Sequence, residues 1–311
     1  MTDTHVLDSS AIESHIDALV ESMTLEEQVS LLAGADFWTT VPVERVGVPA
    51  IKVSDGPNGA RGGGSLIGGV SAAAFPVGIS LASTWNTPLV EEVGQALAEE
   101  ALSKGARVLL GPTINIHRSP LNGRNFECYS EDPYLSARLA VAYVRGLQSQ
   151  GVGATVKHYV GNDSEFERNS ISSDIGERAL REIYLVPFEA AVKEGGAWAL
   201  MSAYNKINGI FACDNRRLLH DVLKGEWGFD GLVTVSYTHL CWRLPPRPPI
   251  CPSASSRARA ANPPTSTASS TSAAWSSAAT KTRTRAATFT TPSSSKTCPM
   301  RLMATRPPPT P

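Results

Sequence analysis

Six short, continuously apolar runs alternate with stretches of helical period over the first 235 residues, and this alternation constrains the fold more than any other feature. The runs are residues 50–54, 76–82, 108–116, 154–159, 198–203 and 231–233. Apolar residues at helical spacing recur between them over 89–102, 135–147, 179–192 and 216–223. Continuous rather than alternating strands are buried on both faces, as in a parallel sheet flanked by helices. So many strand–helix units in a row favour an α/β fold of the (β/α)8 TIM-barrel type over an open doubly wound sheet. The glycines of Arg61-Gly62-Gly63-Gly64 lack the spacing of a dinucleotide-binding loop. Ahead of the first run, Thr24-Leu25-Glu26-Glu27 spells a capping box, predicting a helix through Leu31 and Leu32 that Gly34 ends.

The pattern stops near residue 240. Residues 241–311 contain no Gly, Val, Asp, Glu, Gln, His or Tyr, yet they hold thirteen of the twenty-two prolines. They also carry ten Lys/Arg, so this stretch is +10 while residues 1–240 are −11. No core forms from such a composition. Two units are therefore expected: an incomplete barrel over 1–235 and an aberrant or disordered Pro/Ser/Thr/Arg-rich tail over 236–311. The loss of so many residue types reads as a coding sequence continued in the wrong frame. One coding of Val235 to Leu240, GTC TCT TAT ACA CAT CT, resembles the end of a transposon-derived sequencing adapter and places the join there. A barrel cut at this point lacks its last strand–helix elements, since such barrels typically need about 250 residues.

Residues 1–16 lack a basic segment followed by an apolar one, and no later run is long enough to span a bilayer, so a cytoplasmic, soluble protein is expected. The cysteines Cys128, Cys213, Cys241, Cys251 and Cys298 show neither zinc-site nor disulfide-framework spacing and read as free thiols. Neither a metal nor a cofactor is expected. The basic tail raises nucleic acid as a partner, but its arginines lie among Pro, Ser and Thr with few aromatics and no recognisable module. Nucleic-acid and membrane partners are accordingly not expected.

Polar clusters follow the runs. They are Ser54-Asp55-Gly56-Pro57 with Arg61, Asn122-Gly123-Arg124-Asn125-Phe126-Glu127, Lys157-His158 with Arg168 beyond, and Tyr204-Asn205. In a barrel all would gather at the mouth where the strands end, and charged groups there suit a neutral polyol whose hydroxyls both donate and accept. Singly, each has a plainer reading. Asp55 before Gly-Pro is a common turn residue, Arg124 is a candidate ion-pair partner of Glu127 or Glu131, and Tyr204 is a candidate rim aromatic. Lys157-His158 is less easily dismissed, because two adjacent cationic groups ending an apolar strand are costly to bury. Trp38 and Trp85 are better placed as core residues than as stacking platforms.

Together the strings VSDGPNGARG, NGRNFECYSEDP, VKHYVGNDSEFER, ERALREIYLVPFE and MSAYNKINGI resemble the N-terminal domain of glycoside hydrolase family 3, in its β-glucosidase branch. The N-acetylglucosaminidases of that family are less similar, because they continue the Lys-His strand into a His-bearing loop, where this sequence has Tyr159-Val160-Gly161-Asn162-Asp163. The resemblance implies retaining hydrolysis of terminal non-reducing β-D-glucosyl residues, with a β-glucoside or oligosaccharide as substrate. It also implies that Asp55, Arg61, Arg124, Lys157, His158, Arg168 and Tyr204 surround the glucosyl unit.

One position departs from the family. Retaining glycosidases use a carboxylate nucleophile and a second carboxyl as acid/base. The resemblance puts the nucleophile, an Asp, at position 236, where this chain has Ser236 followed by Tyr237. The family's acid/base is a Glu from a second domain, and no acidic residue follows position 240. Asp230 precedes the last run and reads as a turn residue at the opposite end. The expectation is therefore a glucosidase by family that is inactive as written; a non-catalytic sugar-binding protein is the alternative.

Overall fold

A computed structural model describes residues 9–62 and 70–235. The tail, Ser236 and the cysteines at 241, 251 and 298 lie outside the described residues.

The chain opens with helices α1 (Ser9–Ser22) and α2 (Leu25–Ser30). The capping box of α2 is formed, with Glu27 N donating to Thr24 Oγ1 and Thr24 N to Glu27 Oε2. The helix closes at Ser30, before Gly34 is reached. Strand β1 (Val53–Asp55) is followed by α3 (Gly78–Ala82), α4 (Thr87–Ser103), β2 (Val108–Leu110), α5 (Pro133–Ser149) and β3 (Gly153–Tyr159). Next come β4 (Ser172–Ser173), the short α6 (Glu177–Ala179) leading into a π-helical turn (Leu180–Tyr184), and α7 (Val186–Lys193). Strands β5 (Ala199–Ser202), β6 (Lys206–Ile207) and β7 (Ile210–Phe211), a π-helix (Arg217–Glu226) and β8 (Leu232–Val235) complete the order.

Strands β1, β2, β3, β5 and β8 form one parallel sheet in that order. With helices between successive strands, this is part of a barrel wall, the incomplete α/β barrel that the alternation predicts. The expected strand at 76–82 is instead α3. Its run is too short for periodicity to separate the two states. Pro76 lacks an N–H for a ladder, and burial of Gly78, Leu81 and Ala82 with Ile79 exposed follows a helical period. The run at 108–116 breaks its ladder after Leu110, where Pro112 has no N–H to donate, and meets β3 again at Thr113, which bridges Lys157.

The core lies between sheet and helices. Every residue of β3 is buried. Tyr159 packs edge-on against Phe188 of α7 at 5.3 Å and against Trp227 at 5.9 Å. Helices α4 and α5 begin alike, each with a capping side chain and a proline in the first turn. Asn86 accepts from Leu89 N at 3.1 Å and Asp132 from Tyr134 N at 2.9 Å. The two helices then approach backbone to backbone at Gly94 and Gly146: a Cβ on Gly146 would lie 2.1 Å from the Glu91 carbonyl oxygen, and one on Gly94 2.7 Å from that of Tyr143. Trp38 is buried with Leu110 and Met201, as expected of a core residue. Trp85 is not a core residue: in the turn before α4, at φ +54°, it is 73% exposed.

Because the five strands are parallel, their C-terminal ends share one side. The loops after β3 and β5 carry β4, β6 and β7, which pair as a small second sheet at that end.

Candidate functional site

Asp55 ends β1 and Lys157 lies near the end of β3, two strands across the sheet. Lys157 Nζ donates to Asp55 Oδ1 at 2.7 Å, with the lysine side chain 4% and the aspartate 20% exposed. Burial alone would raise the Asp55 pKa, but Lys157, the Gly56 N–H and the charge of Arg61 outweigh it and hold the carboxyl below its usual value. Arg61 is brought back over the strand end by its own N–H, which donates to the Asp55 carbonyl at 2.9 Å.

His158 is positioned by a β-bulge. Lys157 pairs with Met201 and Tyr159 with the next residue, Ser202, so His158 is one residue too many for the ladder. In a regular strand, Lys157 and His158 would point to opposite faces. The backbone groups that the bulge releases are taken up by one side chain: His158 N donates to Asn115 Oδ1, and Asn115 Nδ2 donates to the His158 carbonyl, both at 2.9 Å. Asn115 is 2% exposed and sits between two buried isoleucines. The His158 ring is itself 3% exposed, and burial, then Arg124, Lys157 and Arg168, push its pKa well below the ordinary value. The imidazole is neutral at physiological pH and offers one donor and one acceptor.

Arg124 lies on the loop between β2 and α5. Its Nε donates to Glu127 Oε1, while Thr113 Oγ1 donates to the other oxygen of Glu127 at 2.7 Å. Burial would lower the Arg124 pKa; the bond to Glu127 and its charge more than offset this and raise it. Arg168, on the loop after β3, has its Nε 3.3 Å from Glu165 and its guanidinium 5.0 Å above the Tyr204 ring. The seven residues singled out from the sequence thus share one end of the sheet, in two groups. Asp55, Lys157 and Arg61 form the first, and His158, with Arg124 and Arg168 acting on it, leads through Tyr204 in the second.

The plainer reading of Arg124 as the partner of Glu127 is realised. Glu165 and Asn115 were not foreseen. A polar residue flanked by apolar neighbours in Thr113-Ile114-Asn115-Ile116 was the signal for Asn115; Glu165, in a polar loop, carried none. A cavity of about 250 Å³ adjoins this cluster and is lined by Arg118, Asn122, Asp163 and Ser173, among others. There Arg118 lies 3.5 Å from Asp163, whose carboxyl burial pushes up in pKa. Asp230 is exposed in the turn before β8. Among the described residues, no group of three or more His, Cys, Asp or Glu side chains is arranged to hold a metal ion. No helix there is long and apolar enough to cross a membrane.

Comparison with known proteins finds close relatives of this chain. The chain is 66% identical over 218 residues to a β-glucosidase from Rhizobium radiobacter and 54% identical over 220 residues to β-glucosidase B from Emericella nidulans. These matches cover 70% and 71% of this chain but only 27% and 26% of the relatives, so it spans about a quarter of their length. Among solved structures it resembles β-glucosidase 3B from Thermotoga neapolitana in complex with glucose (TM-score 0.68, 47% identity, 71% of this chain and 33% of that one). It also resembles the β-glucosidase from Kluyveromyces marxianus in complex with glucose (TM-score 0.69, 47% identity, 71% and 26%). The model of the glycosyl hydrolase family 3 N-terminal domain matches residues 13–240, and with the barrel wall and the strand-end cluster in place, the chain belongs to that family.

Proposed function

We propose that the mouth of this barrel is the glucosyl subsite of a β-glucosidase, acting on terminal non-reducing β-D-glucosyl residues of a β-glucoside or oligosaccharide. The observation that carries this reading is the Asp55–Lys157 pair. A buried ion pair is a costly way to hold two strands together, and here it stands where barrel enzymes bind their substrates. Its carboxylate oxygens accept from sugar hydroxyls, the arginines donate, and neutral His158 does either. Complexes of relatives with glucose support glucose as the ligand of this cluster.

In the parent reaction a carboxylate attacks the anomeric carbon and the glucosyl-enzyme is then hydrolysed with retention. The family places that carboxylate at position 236, and a serine hydroxyl without an activating base is a far poorer nucleophile. The chain as written is therefore proposed to bind glucosyl groups without turning them over. This is also what a non-catalytic sugar-binding protein would do, a reading that Ser236 favours.

Calorimetric titration with glucose and release of dinitrophenolate from 2,4-dinitrophenyl β-D-glucoside test both halves. The aglycone is a leaving group that needs no acid, so the nucleophile alone is read. The unsubstituted chain is expected to bind glucose and release nothing above the buffer rate, whereas Ser236→Asp releases a measurable burst. A folded chain that shows no heat with glucose overturns the subsite. Turnover by the unsubstituted chain overturns the assignment of position 236.

A further inference from the structure

Two arginines of the cluster come from different loops, Arg124 from the one between β2 and α5 and Arg168 from the one after β3, and both act electrostatically on His158. Like charges drawn to one buried ring repel each other. Glu127 serves only Arg124 among these two. The carboxylate that faces both is Glu165: its Oε2 lies 3.3 Å from Arg168 Nε and its Oε1 3.9 Å from Arg124 Nη1. Its side chain is 24% exposed, and its stem lies over Gly123, where a Cβ would meet its Cγ at 3.7 Å. Glu165 therefore ties its own loop to the loop that carries Arg124.

The character of the tie matters. Glu165 Oε1 is buried and accepts no hydrogen bond, and Arg168 Nε is buried and donates none. The carboxylate acts here as a charge between two guanidinium groups, not as a rigid bidentate clamp. Arg168 is constrained on a second side by the Tyr204 ring beneath it.

We propose that Glu165 is a positioning residue for sugar recognition: by balancing and spacing Arg124 and Arg168, it sets the donor geometry with which the pocket reads a hydroxylated ring. The inference rests on the glucosyl-subsite reading above. Glu165 itself does not touch the sugar. It works through the arginines, so removing it matters only while they are present.

That dependence is the test. Glucose titrations of the full chain, Glu165→Gln, Arg168→Met and the double variant form a cycle whose non-additivity reads the coupling. Glu165→Gln is expected to weaken glucose binding about tenfold, and in the Arg168→Met background the same change costs about threefold or less. Equal affinity of Glu165→Gln and the unsubstituted chain overturns the proposal, as does full additivity. Glu165→Asp keeps the charge on a shorter stem and is expected to fall between the two. Should Glu165→Gln fail to fold, the cycle is read with Glu165→Asp, whose additivity with Arg168→Met is equally fatal. Failure of the folded, unsubstituted chain to bind glucose overturns the subsite reading, and this inference falls with it.

Discussion

The two halves of the strand-end cluster are built differently. Asp55 and Lys157 are carried on strands, pair directly at 2.7 Å and are largely enclosed. Arg124, Glu165 and Arg168 are carried on loops, meet at 3.3–3.9 Å and keep a fifth to two fifths of their side-chain surface exposed. A buried pair is strongly coupled to folding, because losing one partner strands the other. Arg168, two fifths exposed, is screened by water, and its ion pair contributes little to stability. The strand-borne pair is therefore tied to the fold more closely than Arg168 is, and the two are separable by experiment.

The largest expected effect is that of Lys157→Met, which leaves the Asp55 carboxylate without its partner and should lower stability in urea unfolding by about 3–5 kcal/mol. A loss below about 1 kcal/mol would erase the distinction between the halves. Asn115→Ala comes next. It strips both partners from the bulge and should cost about 2–3 kcal/mol, measured in the same way.

A pH series sharpens the comparison from the side of His158. Its folded pKa lies below the ordinary 6.5, so as pH falls below that value the unfolded chain takes up a proton that the folded chain refuses. The contribution is fully present above about pH 6.5 and is lost as pH drops toward the lowered folded value, at about 1.4 kcal/mol per unit. The His158→Gln curve should lack that slope, so the difference between the two pH–stability curves should carry it. Arg168→Met has the smallest expected effect on folding, within about 0.5 kcal/mol of the unsubstituted chain, while weakening glucose binding in calorimetry.

Much of this division was legible in the sequence for a physical reason. Two charges ending the apolar run at 154–159 are conspicuous because burial is costly, and Lys157 and His158 stood out accordingly. Motif resemblance then named Asp55, Arg61, Arg124, Arg168 and Tyr204, though spacing alone left Asp55 a turn residue and Arg124 an ion-pair partner. The bulge was not legible, since pairing register depends on a neighbouring strand that single-strand periodicity does not describe. Nor was Glu165, because an acid in a polar loop looks the same whether it bridges two arginines or faces solvent. The run at 76–82 misled for a third reason: its seven residues satisfy strand and helix patterns alike, and Pro76 with burial on one helical face settled the matter. Trp85 misled through its chemistry, a large apolar side chain that the turn before α4 leaves exposed.

The glycine crossing of α4 and α5 bears on how such a gene tolerates mutation. One methyl group at position 146 would meet a carbonyl oxygen at 2.1 Å, in backbone that has no side chain to swing aside. Random substitution is therefore filtered unevenly. The helix layer rejects the smallest possible change at this crossing, whereas loops that reach solvent accept changes of residue and length. The rim of this frame is free to vary for as long as two hydrogen atoms stay where no carbon fits.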